Sequence, residues 1–140
     1  MNVERALQIA IEAHKNQKDK YGAPYLAHVT RVMNAGKTDD EKIVGVLHDV
    51  IEKTEWTFEQ LQQEGFSNLI IDAIRCLSKT NDKEDYDQFI ERVKTNPLAI
   101  KVKLYDLTDN MDVRRIPEVK EKDIERMNKY LKAYRMLSAL

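Results

Sequence analysis

Val-Gly-Val-Leu-His-Asp-Val-Ile, residues 44–51, is an almost wholly apolar stretch that contains an ionisable pair, His48-Asp49. Its apolar side chains recur at the spacing of one helix face, which predicts a buried helix. Thr38 and Glu41 have the spacing of a capping box and open that helix. Because unpaired polar side chains are costly to bury, the pair needs partners, and a divalent cation is one such partner. The apolar face of this third helix consists of Ile43, Val46, Leu47, Val50 and Ile51.

The same helical periodicity runs through the rest of the chain, and no alternating strand of useful length interrupts it. The sequence therefore predicts an all-α protein, a single compact domain over residues 1–140 with about eight helices. Besides the third, these are a first helix from Val3 to His14, a second from about Tyr25 to Ala35, a short fourth after Thr57, a fifth capped by Ser67, a sixth from roughly Asp85 to Lys94, a seventh opened by Asn96-Pro97 and a last from about Asp123.

The composition limits the classes of function. Apolar residues make up 42% and charged residues 34% of the 140 residues, which is ordinary for one folded domain. The formal net charge is −1 and no basic tail or stripe stands out, which argues against a nucleic-acid polymer as partner. Cys76 is the sole cysteine, and no apolar stretch approaches bilayer-spanning length. We therefore expect a cytoplasmic protein without a membrane partner, and the sequence leaves its oligomeric state open.

His28 and Asp106 are the other two candidate metal ligands beside His48 and Asp49. A shell of two imidazoles and two carboxylates suits Mn²⁺, Fe²⁺ or Zn²⁺ and leaves positions open for water and a phosphate oxygen. Glu52 lies four residues beyond His48, so a helix would place its carboxylate on the same face, one turn on. The sequence therefore predicts that Glu52 holds or deprotonates an attacking water.

Lys103, Asp106 and Asn110 are spaced i, i+3, i+7 and form one stripe on the seventh helix. This stripe combines a cation, a carboxylate ligand and a donor amide. Such a combination fits phosphate chemistry, because the cation and the amide can bind phosphate oxygens beside the metal.

Three segments resemble motifs of the RelA/SpoT-like alarmone hydrolases. Residues 14–28 are similar to the pattern H-x-G-Q-x-R-K-x-G-x-P-Y-x-x-H, and residues 48–54 to H-D-x-x-E-D-T. Residues 103–111 resemble K-L-A-D-x-x-x-N. The segments occur in the family's order and span nearly the whole chain, so the chain resembles a small, stand-alone hydrolase of this family.

The resemblance implies a helical HD-type phosphohydrolase domain that holds Mn²⁺ and removes pyrophosphate from the 3′ position of guanosine polyphosphates such as ppGpp. It implies that His28, His48, Asp49 and Asp106 are the metal ligands. Other positions carried over from the family are Glu52 for the water, Lys20 and Asn110 for the substrate, and, more loosely, Arg126 and Tyr130 for the nucleotide site.

Two departures from the family pattern leave alternatives open. Lys53 stands where the family has an aspartate, so either the chemistry is impaired or Lys53 serves as an extra phosphate clamp. Asp19 stands where the family has an arginine that packs on the base, and a carboxylate cannot stack as a guanidinium does. The alternatives are an HD phosphatase or phosphodiesterase on another nucleotide, or a catalytically weak HD domain that binds a nucleotide as a sensor.

Several other polar residues are predicted to lie outside the site. His14 falls on the apolar stripe of the first helix and is interpreted as a buried, hydrogen-bonded structural histidine. Asp109 and Asp112 are predicted to point away from the stripe of the seventh helix, and Arg114-Arg115 is predicted to face solvent.

Overall fold

The computed structural model of the chain describes residues 2–79, 81 and 83–140. These residues form α-helices joined by short loops, with no strand among them, which confirms the predicted all-α class. The helices are α1 (Val3–Ala13), α2 (Tyr25–Ala35), α3 (Asp39–Leu47), α4 (Val50–Lys53), α5 (Phe58–Gln63), α6 (Asn68–Cys76), α7 (Tyr86–Val93), α8 (Pro97–Asn110) and α9 (Glu121–Ser138), with a 3₁₀ turn at Val113–Arg115 before α9.

The predicted helix starts are set by side-chain caps. The Thr38 hydroxyl accepts a hydrogen bond from the backbone N–H of Glu41 at 3.1 Å. Each such cap satisfies a backbone N–H that has no partner within its own helix. The same contact opens α5 at Thr57, α6 at Ser67, α7 at Asp85 and α8 at Asn96.

The predicted third helix is interrupted in the structure. α3 ends at Leu47, α4 begins at Val50, and His48-Asp49 lies at the junction. Asp49 leaves helical geometry with φ −104° and ψ 0°. Adjacent residues of a regular helix do not face the same point. The break therefore allows both side chains of the pair to point to one centre.

α3 is the central helix, and it packs against α1, α2, α6 and α8. All of Ile43, Val44, Gly45, Val46 and Leu47 are buried, so this helix contacts protein on every side. Gly45 permits the close approach of α2, because a Cβ atom there would lie 3.2 Å from the Val32 oxygen and the Met33 nitrogen. This approach brings the start of α2 beside the end of α3. Among the described helices, none is long and apolar enough to cross a membrane.

Candidate active site

Three separate parts of the fold bring the four predicted metal ligands together. His28 comes from the first turn of α2, His48 and Asp49 from the α3–α4 junction, and Asp106 from α8. The His28 Nε2 atom lies 2.9 Å from Asp106 Oδ1 and 3.8 Å from Asp49 Oδ2. His48 Nε2 lies 3.1 Å from Asp49 Oδ2 and 3.3 Å from Asp106 Oδ1. The four side chains are nearly buried, and their donor atoms converge.

The hydrogen bonds on the far side of each imidazole fix its tautomer. The His48 Nδ1 atom lies 2.6 Å from the Gly45 carbonyl oxygen, and His28 Nδ1 lies 2.6 Å from Asp109 Oδ2. Both oxygens can only accept, so each Nδ1 carries a hydrogen. Each Nε2 therefore faces the carboxylates at the centre between the helices, and it is the ring nitrogen that is left to bind a metal. This is the orientation that metal-binding histidines adopt.

Burial and neighbouring charges act on these ligands in opposite directions. Burial lowers the pKa of His28 and of His48. The neighbouring carboxylates act in the opposite direction and together outweigh burial, so both pKa values lie above their usual range. Burial raises the pKa of Asp49, yet the charge of His48 lowers it to well below its usual value. For Asp106 the same effect of burial is outweighed by the charges of Lys103 and His48. The carboxylates are thus ionised, and they favour a cation among the four side chains.

The residues present fit a divalent metal. His28, His48 and Asp49 each offer a ligand atom, and these atoms all lie within 4.8 Å of one another. The Nε2 atom of His48 is buried and lies 3.1 Å from Asp49 Oδ2 and 3.3 Å from Asp106 Oδ1. A metal cation between this nitrogen and the two ionised carboxylates would stabilise all three buried groups. The set of two nitrogens and two oxygens suits Mn²⁺, Fe²⁺ or Zn²⁺.

Lys103 and Asn110 both hold Asp106. The Lys103 ammonium lies 2.9 Å from Asp106 Oδ2, and the Asn110 amide donates to Asp106 Oδ1 at 3.1 Å. Burial lowers the pKa of Lys103. The neighbouring groups, with the charge of Asp106 foremost, outweigh burial and raise this pKa above its usual value, so the lysine is a permanent cation. In the predicted stripe on α8, Lys103 and Asn110 therefore orient Asp106, a predicted metal ligand, and the stripe also lines the neighbouring cavity.

Tyr25 was not singled out in the sequence analysis, although it contacts two of the predicted ligands. Its hydroxyl donates a hydrogen bond to Asp49 Oδ2. Its ring stacks on that of His28 with centroids 5.5 Å apart and an interplanar angle of 29°. The tyrosine of the P-Y-x-x-H pattern was the signal that could have found this contact, since Tyr25 and His28 lie one helical turn apart.

The predictions for Asp109 and Arg115 were wrong. The Asp109 side chain does not point away from the predicted ligands. Its Oδ2 lies against His28 Nδ1, on the side of the ring opposite to Asp106. Arg115 does not face solvent freely, because its guanidinium donates to Asp109 Oδ1 at 3.1 Å and its side chain lines the cavity. The i, i+3 spacing of Asp106 and Asp109 was the signal available in the sequence.

A cavity of about 700 Å³ opens in front of the predicted metal ligands. Every residue predicted to handle water or substrate lies on its wall. These residues are Lys20, Glu52, Lys53, Lys103, Asn110, Arg126 and Tyr130. A volume of this size is within the range of small-molecule sites.

The side chains of Glu52 and Lys53 are held by different contacts. A carboxylate oxygen of Glu52 accepts a hydrogen bond from the Lys79 backbone N–H. The Lys53 ammonium lies 5.1 Å from the centroid of the Tyr25 ring, within the range of a cation–π contact. The Lys53 carbonyl also accepts a hydrogen bond of 2.8 Å from the Gln17 amide. Within the described part of the chain, the Lys79 N–H therefore holds Glu52 at the cavity wall, and Lys53 reaches toward the tyrosine that contacts Asp49.

Asp19, the residue that stands in place of the family arginine, shapes the loop before α2. Its Oδ1 atom accepts hydrogen bonds from the backbone N–H groups of Tyr21 at 2.8 Å and Ala23 at 3.0 Å. Gly22 completes this turn with φ +88°, a conformation that side chains other than glycine rarely adopt. The turn places Lys20 at the cavity.

The same loop is tied to α9 across the cavity mouth. The Tyr21 hydroxyl donates to Asp123 Oδ1 at 2.9 Å, and the Arg126 guanidinium pairs with the same carboxylate. Tyr130 follows one turn after Arg126 and packs against the core with part of its ring. The loop and α9 thus form one hydrogen-bonded part of the cavity wall.

Cations dominate the described part of the cavity wall. Burial lowers the pKa of Lys129, and the nearby charges of Lys79, Lys103 and Arg126 lower it further. Burial and the charge of Arg126 likewise lower the pKa of Lys20. Such mutual repulsion among cations is relieved by a bound anion. The basic residues on the wall are Lys18, Lys20, Lys53, Lys79, Lys103, Arg115, Arg126 and Lys129, against the acidic residues Asp19, Asp49, Glu52 and Asp106.

No protein-family model matches the chain, but named proteins do. The chain is 29% identical to a GTP pyrophosphokinase of Streptomyces coelicolor, over 97% of this chain and 17% of that protein. It is 28% identical to a guanosine-3′,5′-bis(diphosphate) 3′-pyrophosphohydrolase of Aquifex aeolicus, over 78% of this chain and 17% of that protein. A protein of the same name from Haemophilus influenzae is 32% identical, over 74% of this chain and 17% of that protein.

The chain thus spans 17% of the length of each of these relatives. The fold is also found in a solved structure, described as a metazoan orthologue of SpoT that hydrolyses ppGpp. The two structures align with a TM-score of 0.78 and 22% identical residues, over 96% of this chain and 84% of that chain. This likeness shows that the two chains share one helical fold.

Proposed function

We propose that this chain, a relative of the RelA/SpoT-type proteins over most of its length, is a metal-dependent phosphohydrolase that acts on guanosine 3′,5′-bis(diphosphate). It would release pyrophosphate from the 3′ position, and residues 1–140 would form the HD-type domain that does so. The observation that carries this proposal is the convergence of His28, His48, Asp49 and Asp106 at the inner end of a cavity lined with cations. Two of its relatives are named for this reaction.

The four converging side chains would hold the metal, and Mn²⁺ is the ion that we propose. When bound, such an ion acidifies a water molecule and neutralises charge on the attacked phosphate group. His28 and His48 would each contribute Nε2, because their Nδ1 atoms are already engaged. Asp49 and Asp106 would contribute one oxygen each.

Glu52 is the residue that we assign to the attacking water. Its carboxylate lies on the cavity wall, and the Lys79 N–H holds one of its oxygens. The other oxygen forms no hydrogen bond to the residues that the structure describes, and we assign it the proton of the water. A carboxylate that is held in place orients the water and takes its proton more readily than a freely rotating one.

The cations of the wall would bind the phosphate groups. Lys103 and Asn110 lie beside Asp106 and therefore closest to the attacked phosphorus. Lys20 and Arg126 lie on the part of the wall formed by the loop before α2 and by α9, where they would bind the remaining phosphates, and Tyr130 would contact the nucleotide. Fixed cations around the reacting group stabilise the charge that develops in the transition state.

An HD phosphatase or phosphodiesterase on another nucleotide is the second candidate function. Asp19 is the observation that favours it, because both hydrogen bonds of its Oδ1 go to the loop backbone and leave no arginine-like group for a base. A catalytically weak nucleotide sensor is the third candidate, and Lys53 favours it. The cation–π contact of Lys53 with Tyr25 places a positive charge where the family has a negative one.

Release of phosphate and pyrophosphate from a nucleotide panel with and without Mn²⁺ tests the proposal. We expect pyrophosphate from guanosine 3′,5′-bis(diphosphate), dependent on metal and absent in the His48→Ala/Asp49→Ala double variant. Turnover of another nucleotide alone would keep the mechanism and replace the substrate. Binding of metal and nucleotide without any turnover would favour the sensor.

The variant Lys53→Asp separates a working site from a decayed one. If Lys53 clamps a phosphate, replacing its positive charge with a negative one lowers kcat/KM by at least about 10-fold, the scale of one lost charge-assisted hydrogen bond. A gain in turnover instead would show that the native lysine impairs catalysis. Lys15→Asp is the matched control, because Lys15 is exposed and lies outside the described cavity wall.

A further inference from the structure

Asp109 contacts the His28 imidazole on the side of the ring opposite to Asp106. Its Oδ2 atom lies 2.6 Å from His28 Nδ1, while the other nitrogen of that ring lies 2.9 Å from Asp106 Oδ1. The imidazole is therefore held between two carboxylates that both come from α8. Asp109 itself does not face the cavity, and the family pattern K-L-A-D-x-x-x-N leaves its position unspecified.

Two arginines fix the Asp109 carboxylate. The Arg31 Nε atom donates to Oδ1 at 2.6 Å, and an Arg31 Nη atom donates to Oδ2 at 3.1 Å. Arg115 donates to Oδ1 at 3.1 Å from one Nη atom and to the Asp109 carbonyl at 3.1 Å from the other. The Asp109 side chain is only 10% exposed, so these bonds are shielded from water.

We propose that Asp109 is a positioning residue that fixes His28 as an Nε2 ligand of the metal, and that Arg31 and Arg115 hold it in that role. The proposal rests on the proposed function, because it concerns the same metal. A carboxylate on Nδ1 selects the required tautomer, holds the ring in place and strengthens Nε2 as a donor.

The geometry also predicts why an amide would fail at this position. In an Asp109→Asn variant the single oxygen would be drawn to the Oδ1 position, which receives two of the three arginine hydrogen bonds, whereas the Oδ2 position receives one. The amide NH₂ would then face His28 Nδ1, which would have to accept. The ring proton would move to Nε2, and that nitrogen could no longer bind a metal.

Asp112 provides a matched control on the same segment. It pairs with Arg114, whose side chain is 87% exposed, and it lies outside the described cavity wall. An Asp112→Asn variant makes the same chemical change without contacting a predicted ligand. Any effect specific to Asp109→Asn therefore reports on the contact with His28.

The test is calorimetric titration of Mn²⁺ into the EDTA-treated full chain, for the wild type, Asp109→Asn and Asp112→Asn. We expect the Asp109 variant to bind Mn²⁺ about 10- to 100-fold more weakly, the range for loss of a hydrogen-bond partner of a metal-binding histidine. The Asp112 variant should bind as the wild type does. Turnover by the Asp109 variant should recover partly when Mn²⁺ is raised, since the other ligands remain.

Equal affinity of the wild type and the Asp109 variant would overturn the role of Asp109 and leave the proposed function standing. No Mn²⁺ binding by the wild type would overturn both. If Asp109→Asn fails to fold, Arg31→Gln decides, because Arg31 is 39% exposed and its loss removes one hydrogen bond from each oxygen of Asp109 while Arg115 and His28 stay paired with that carboxylate. An affinity loss of a few-fold is then expected, and an unchanged affinity would contradict the proposal.

Discussion

His14 lies beside the candidate site and is fixed by two contacts. Its Nδ1 atom lies 2.9 Å from the Gln17 amide oxygen. Its ring makes an edge-to-face contact with the Tyr25 ring, with the ring centroids 5.2 Å apart. The side chain is buried, as the sequence predicted for a structural histidine. Gln17 in turn donates to the Lys53 carbonyl, so His14 supports the Glu-Lys segment through one intermediate residue.

The pKa of His14 predicts a pH-dependent contribution to stability. Burial lowers this pKa below its usual value of about 6.5, although the bond to Gln17 opposes the effect. Above that value the ring is neutral in both states. Below it, the unfolded chain takes up a proton that the folded chain refuses, so His14 costs stability as the pH falls toward the lowered pKa.

Urea unfolding of the wild type and His14→Gln in EDTA, at pH 8 and pH 5, measures this effect. At pH 8 the wild type should be more stable by about 1–3 kcal/mol, because the variant loses packing and the bond to Gln17. At pH 5 the gap should narrow, since the variant carries no imidazole at this position. A gap that stays constant or widens would contradict a lowered pKa for His14.

At the scale of single residues, the sequence predicted which side chains gather but not all of their partners. His28, His48, Asp49 and Asp106 meet as predicted, and their role as ligands stays a prediction. The contact of Asp109 with His28 joins residues 81 positions apart. Periodicity places a residue on a helix face, but it does not say which distant side chain that face will meet.

At the scale of helices, the sequence predicted the caps but missed the break between α3 and α4. Thr38, Thr57 and Ser67 cap their helices because a short polar side chain binds the third backbone N–H wherever it precedes a helix. The apolar pattern of residues 43–51 continues across the break, so periodicity alone predicts one helix. The break follows from the tertiary requirement that both His48 and Asp49 reach the same centre.

Gly45 controls how closely α2 and α3 approach, and the variant Gly45→Ala tests its importance. Alanine normally favours a helix over glycine by about 1 kcal/mol. Here its Cβ would lie 3.2 Å from backbone atoms of Val32 and Met33, which cannot move aside as a side-chain tip can. We expect a net loss of about 1–3 kcal/mol in the free energy of unfolding, measured with urea.

The same variant should weaken Mn²⁺ binding, because α2 carries His28 and α3 ends at His48. Met33→Ala combined with Gly45→Ala should restore neither property, since the contacts are with the backbone. A Gly45→Ala protein as stable as the wild type would contradict the close approach of the two helices.

At the scale of the whole molecule, the candidate site joins segments that are distant in sequence. The predicted ligands come from α2, the α3–α4 junction and α8, and the cavity wall adds the loop before α2, the segment after α6 and parts of α7 and α9. Without a metal, two carboxylates and two imidazoles are buried against one another. Burying charges is costly even when they are paired, so this region contributes less to stability than an apolar core of equal size.

A bound metal should therefore stabilise the whole fold and not only the site. The ion would link three helices in the folded state, whereas the unfolded chain offers no assembled site. At an Mn²⁺ concentration 100-fold above the dissociation constant, we expect a gain of about 2.7 kcal/mol. For a chain of this length that gain corresponds to a rise of about 8 °C in melting temperature. Thermal unfolding followed by circular dichroism, in EDTA and in increasing Mn²⁺, measures it.

The variant His48→Gln is the control for this stabilisation. It removes one imidazole from the centre and should remove most of the dependence on Mn²⁺. Mg²⁺ should stabilise the wild type less, because it prefers an octahedral shell of oxygens to imidazole nitrogen. A melting temperature that rises equally in the wild type and in His48→Gln would place the metal elsewhere on the molecule. In that case the histidines and aspartates of this centre would be paired only with one another, and the metal-dependent mechanism would be wrong.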